Sequence, residues 1–172
     1  MTANALLKAM KLFTEEVTAD VLLPVKLQQS DSSQPGDRAA AVYMMRLPDT
    51  KSSTKKAPYI LHQKVADNIY QKPGNSTTRE VSVRSVFCVY DPDEERGGLS
   101  LNELMERFLI GILKERVLAG QFALVMDEGK NPQTLVYPDD TAPYYIGEID
   151  TFWSLPPVER EVRLHEQYED QW

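Results

Sequence analysis

Arg79-Glu80-Val81-Ser82-Val83-Arg84-Ser85-Val86-Phe87-Cys88-Val89-Tyr90 runs into Asp91-Pro92-Asp93-Glu94-Glu95-Arg96-Gly97-Gly98 and then into Ser100-Leu101-Asn102-Glu103-Leu104-Met105. Up to Ser85 apolar and polar residues alternate, and from Val86 to Tyr90 both parities are apolar. That pattern predicts a strand half exposed at its start and covered at its end. Asp91-Pro92-Asp93 stops the pairing, since proline lacks a ladder donor and aspartate bonds its own backbone in turns. Gly97-Gly98 loosens the chain, and Ser100-Leu101-Asn102-Glu103 matches a capping box, so a helix is predicted to start there. Leu101, Leu104, Phe108 and Ile112, flanked by Met105, Leu109 and Leu113, recur at helical spacing and predict a buried stripe against the strand. Gly120, beyond Arg116, is the expected stop region.

On the N-terminal side, Leu6, Leu7, Met10, Phe13 and Val17 are spaced by three and four, which predicts a first amphipathic helix over Thr2 to Thr18. Val25-Lys26-Leu27-Gln28 is expected as a short strand opened by Pro24, with residues 30–37 as a loop. Val42 to Leu47 and Tyr59 to Ala66 are strand candidates, and Pro73-Gly74-Asn75-Ser76 makes an antiparallel hairpin into the long strand the simplest topology. Residues 49–56 carry Lys51, Lys55 and Lys56 among serines and threonines, with too little apolar surface to fold alone. On the C-terminal side, Phe122 to Val125 and Thr134 to Tyr137 are short strand candidates. Tyr144 to Leu155 is the last strand, with Ile149, Thr151, Trp153 and Leu155 on one face and Glu148, Asp150 and Ser154 on the other. Val158 to Trp172 is a charged tail that is either disordered or docks on a neighbour through Leu164, Tyr168 and Trp172. The expected fold is α+β, a mostly antiparallel sheet backed by two amphipathic helices, with residues 1–157 as one domain and 158–172 as a tail or arm.

At 172 residues and 42% hydrophobic, the chain has room for one core. A net charge of -7 argues against gripping phosphate backbones, which needs clustered Lys and Arg. Cys88 is the lone cysteine, in the most apolar part of a strand, and reads as a small buried hydrophobe. No run approaches the ~20 apolar residues of a spanning helix, and the N-terminus lacks a signal-type apolar run, so an intracellular, soluble protein is expected.

Chemistry-bearing patterns are sparse. Asp91, Asp93, Glu94 and Glu95 form the densest carboxylate group, a set of oxygens that suits Ca²⁺ or Mg²⁺. Asn102 nevertheless stands where an EF-hand begun at Asp91 needs its terminal acid. Asp139-Asp140 has no local lysine or further carboxylate with which to build a nuclease site. His62 and His165 stand apart in sequence from Cys88 and from any candidate nucleophile. Phosphate-loop, dinucleotide, C-x-x-C and G-x-S-x-G signatures are missing, and no cofactor is implied. Two features point to partners instead. The basic loop with Lys51, Lys55 and Lys56 reads either as a solubilising loop or as a surface for an acidic partner, and the aromatics Tyr144, Tyr145, Phe152 and Trp153 read either as sheet packing or as an intersubunit patch.

Taken together, the first helix, the segment Arg79 to Tyr90, Gly98-Leu99-Ser100-Leu101-Asn102-Glu103-Leu104-Met105-Glu106-Arg107, and the closing Tyr137-Pro138-Asp139-Asp140 and Pro143 to Pro156 resemble the tail terminator, or tail completion, proteins of long-tailed bacteriophages. The resemblance covers residues 79–157 and, loosely, the first helix; residues 49–56 and 158–172 match no part of the family. It implies a non-enzymatic virion protein, assembled in the host cytoplasm as a homohexameric ring on the head-proximal end of the tail tube. The implied partners are further copies of itself, the major tail tube protein and a head-completion or stopper protein. DNA would pass through the ring without specific binding, and no membrane is involved. An acidic balance suits such a channel. Glu94, Glu95, Asp139 and Asp140 are therefore the candidates for its lumen, and Lys51, Lys55, Lys56, Tyr144, Tyr145 and Trp172 those for interfaces. Two alternatives stay open: a head-tail connector or stopper of the same neck, and a small metal-dependent enzyme using Asp91 to Glu95.

Overall fold

A computed structural model describes residues 2–26, 36–48, 57–71, 77–137 and 141–156. In chain order the elements are α1 (Ala3–Val17), β1 (Leu23–Pro24), β2 (Asp37–Arg38), β3 (Ala41–Met44), β4 (Tyr59–Gln71), β5 (Thr77–Tyr90), α2 (Glu94–Glu115), β6 (Val117–Leu118), β7 (Phe122–Leu124), β8 (Gln133–Val136) and β9 (Tyr144–Leu155). The fold is mixed α+β. A seven-stranded, mostly antiparallel sheet runs in the order β3-β4-β5-β9-β7-β6, with β8 pairing beside β7 on the same edge of β9.

β5 is the spine. It pairs antiparallel with β4 from Tyr59↔Cys88 to Gln71↔Thr77, and with β9 from Arg79↔Leu155 to Tyr90↔Tyr144. Because side chains alternate, Val81, Val83, Ser85, Phe87 and Val89 share one face of β5, and all five are buried. Across from them stand Trp153, Thr151 and Ile149 of β9, which are buried too. The helices cover this face, α1 with Leu6, Leu7 and Met10, α2 with Leu101, Leu104, Met105, Phe108 and Ile112. The stripes anticipated for both helices are thus the ones in the core, and β9 has the bounds expected of the last strand.

The start of α2 is a correction. The helix begins at Glu94, capped by Asp93, whose carboxylate accepts from the backbone N–H groups of Glu95 and Arg96. Ser100 therefore lies within the second turn and its capping-box match is incidental. Gly97 and Gly98 are helical rather than a loosened linker. A methyl group on Gly97 would fall 2.0 Å from the Tyr145 ring, so the glycine admits that ring against the helix. The end is corrected as well: Arg116 closes α2 in a left-handed conformation at φ 57°, and Gly120, at φ 67°, serves the β6–β7 turn.

Smaller departures follow from burial. The expected strand at Val25 is instead β1, which brings buried Leu23 onto the core and pairs with β2; Pro24 is tolerated because this pair is short and peripheral. The strand expected over Val42 to Leu47 ends at Met44, where Met45 turns at φ 62°. β3 runs parallel to β4, since residues 45–58 are long enough to bring the chain back to the same end of the sheet. β4 extends five residues past Ala66, to Gln71, with a register shift between Lys64 and Ala66. The Pro73 to Ser76 turn and Leu27 and Gln28 lie outside the described residues.

Candidate functional site

The carboxylates at the start of α2 hold the helix in place. Asp91 is buried and accepts from Arg96 twice, at 2.7 Å from Nε and 2.9 Å from Nη2, and from the Asp93 N–H at 2.9 Å. The Arg96 guanidinium, helped by that backbone N–H, keeps the Asp91 carboxyl below the usual carboxylate range in spite of burial. Asp93 caps the helix, while Glu94 and Glu95 are exposed in its first turn, where negative charge complements the helix dipole. Among the described residues no three His, Cys, Asp or Glu side chains converge as a metal site. Next to this corner is an open cleft of about 530 Å³ between Leu22, Pro24, Val25 and Asp37 on one side and Tyr90, Asp91, Pro92, Arg96 and Ser100 on the other.

Tyr144 and Tyr145, on opposite faces of β9, have different surroundings. Tyr145 sits against Gly97 and packs on the core. Tyr144 stacks on Tyr90 with ring centroids 5.4 Å apart, and the Lys26 ammonium lies 5.9 Å from its ring centroid. Trp153 is fully buried and donates its indole N–H to Thr151 at 2.9 Å, so it belongs to the core. Lys51, Lys55, Lys56, Asp139, Asp140 and Trp172 lie outside the described residues, as does the tail 158–172.

One constellation escaped sequence reasoning. His62 is fully buried between α1 and β5, with Nε2 2.9 Å from the Thr14 hydroxyl and Nδ1 2.8 Å from the Ser85 hydroxyl. The Thr14 hydroxyl donates to the Met10 carbonyl at 2.7 Å, so it accepts from Nε2–H, and Ser85 donates to Nδ1. Burial pushes the imidazole down from 6.5 to about 3. A serine on a neutral histidine is a nucleophile–base pair by composition, yet Thr14, His62 and Ser85 are all fully buried, leaving no approach for a substrate. The trio is a polar clasp inside the core. Register held the signal: Thr14 follows Leu6 and Met10 on the α1 stripe, His62 shares its strand face with Ile60, and Ser85 shares its face with Val83 and Phe87.

On the opposite sheet face, charges neutralise one another. Arg84 grips Asp150 at 3.0 and 3.2 Å and lies 3.5 Å from Glu148; Lys130 reaches Glu80 at 2.5 Å. Near the far end of the sheet Arg79 holds Asp67 at 2.9 and 2.7 Å.

What the described chain leaves open is backbone. β3 covers β4 only from Tyr59 to His62, so along Val65 to Tyr70 the outer edge of β4 has no neighbouring strand among the described residues. Beyond β9, β8 is likewise unpaired on its outer edge and all four of its residues are exposed. No described helix is long and apolar enough to cross a membrane. No protein-family model matches the chain, and no curated protein matches it in sequence.

Proposed function

We propose that the chain is a structural subunit of a bacteriophage neck: a tail terminator that caps the head-proximal end of the tail tube as a ring, ends its polymerisation and offers the joining surface for the head. The observation that carries this reading is a sheet with two edges left open among the described residues. Open edges recruit strands from neighbours, and head-to-tail contacts between identical subunits close into rings. The resemblance over residues 79–157 supplies the kind of ring, and the exposed pair Glu94 and Glu95 suits a wall past which DNA slides without binding.

The test is particle morphology. Phage made without this chain should contain headless tails with overlong tubes, and the purified chain should halt growth of the purified tube protein. Tails of normal length joined to heads in its absence would sink the proposal. Binding to the portal with no effect on the tube would move the chain to the connector role.

A further inference from the structure

We propose that the two open edges are partners: the β4 edge of one copy pairs with the β8 edge of the next, continuing a single sheet from subunit to subunit. The proposal rests on the ring reading only for the number of copies; the pairing itself comes from the edges.

Monomeric proteins guard a sheet edge with charge, proline or a covering loop. β8, Gln133-Thr134-Leu135-Val136, has no charge and no proline, and it is exposed on both faces. Leu135 is 51% exposed, and Val136 and the following Tyr137 are 40% exposed. On β4 the only charge within Val65 to Tyr70 is Asp67, already held by Arg79, while Val65, Ile69 and Tyr70 are 58%, 63% and 45% exposed. Each edge therefore shows three large apolar side chains beside unpaired backbone among the described residues. Pairing them satisfies the backbone and stacks apolar side chains across the new ladder. They are different edges on opposite sides of one sheet, separated by β5 and β9, so their contact is head to tail and repeats indefinitely or closes.

Register adds a geometric consequence. β8 lies level with Gly147 to Asp150, hence with Phe87 to Arg84, hence with Ile60 to Gln63 of β4. The open part of β4 starts beyond that level, which offsets the two edges by about 18 Å along the strands, taking ~3.3 Å per residue. Four strands per copy at ~4.8 Å make a lateral step of about 19 Å. A closed ring with that stagger needs strands inclined by roughly 45° to its plane, as shear demands in a barrel. Six such steps give a sheet-level diameter of about 50 Å, wide enough for a DNA duplex.

Two variants at exposed positions test the pairing, Ile69→Lys on the β4 edge and Leu135→Lys on the β8 edge. Circular dichroism and urea unfolding should show both folded as the parent is. By sedimentation, each variant alone should be monomeric under conditions where the parent associates. Mixed, they should form a dimer and nothing larger, since one good pair of edges remains. In a second measurement, a chain carrying both Tyr70→Cys and Leu135→Cys, two positions on the same face of the sheet, should give an intermolecular disulfide ladder on oxidation at high concentration. The two positions are three strands apart within one copy, too far for an internal bridge. Either variant associating like the parent, a mixture without the dimer, or absence of the ladder would each overturn the pairing. The two readings fail separately: an edge variant that still caps tails removes this pairing and leaves the ring standing, whereas normal tails without the chain remove the ring reading and leave the ladder unaffected.

Discussion

His62 makes the clearest demand on solution conditions. Its proton affinity is ordinary in the unfolded chain, about 6.5, and is lowered to about 3 by burial in the fold. The unfolded state therefore takes up a proton first as pH falls, and the stability contributed by neutral His62 is present above 6.5 and is lost progressively toward 3. Between pH 6.5 and about 5 the loss should be on the order of 2 kcal/mol. Asp67 and Asp91, held below the usual carboxylate range mainly by Arg79 and Arg96, lose their contributions only at lower pH, so the first window belongs to the histidine. Urea unfolding across pH should find His62→Leu less stable at neutral pH by about 1–3 kcal/mol, chiefly because the buried Ser85 hydroxyl loses its acceptor. Its dependence from pH 6.5 to about 5 should also be flatter than the parent's. An equally steep variant would mean that another group titrates there.

The origin of α2 separates two caps that look alike on paper. Asp93 accepts from two N–H groups at 3.1 and 3.0 Å, whereas Ser100 is inside the helix. Asp93→Ala should cost about 1 kcal/mol. Ser100→Ala should leave stability within a few tenths of a kcal/mol of the parent or raise it slightly, since alanine is the better interior helix residue. A larger loss for Ser100→Ala would put the helix start where the capping box has it. Gly97→Ala sets propensity against packing. An exposed helical glycine replaced by alanine gains about 1 kcal/mol, but here the methyl meets the Tyr145 ring. Thermal denaturation should therefore show a lower midpoint, and Gly97→Ala with Tyr145→Leu should recover part of it. A rise in the midpoint for Gly97→Ala alone would show that Tyr145 moves freely.

Across the molecule, order and exposure are divided unevenly. β5 and its buried flanks lie between helices and sheet neighbours, while β8 and the far half of β4 have edges left open among the described residues. In the isolated chain, amide hydrogen exchange should be slowest at Val81 to Val89 and Ile149 to Trp153, and fast at Gln133 to Val136 and Val65 to Tyr70. On assembly, protection should appear at those two edges together. Protection at one edge without the other would rule out a head-to-tail contact between them.

Sequence alone determined the helices' buried stripes, the long hairpin and the full extent of β9, because periodicity reports which side chains face away from water. It misplaced the α2 start at Ser100, where the capping-box residues match by composition; the hydrogen bonds that Asp93 accepts from the Glu95 and Arg96 N–H groups put the start at Glu94. The Thr14–His62–Ser85 clasp joins three segments far apart in the chain, and the parallel placement of β3 depends on how residues 45–58 return. Tertiary structure alone decided these, and likewise which edges stay open, since a strand's neighbours are set by the whole sheet and not by its own residues.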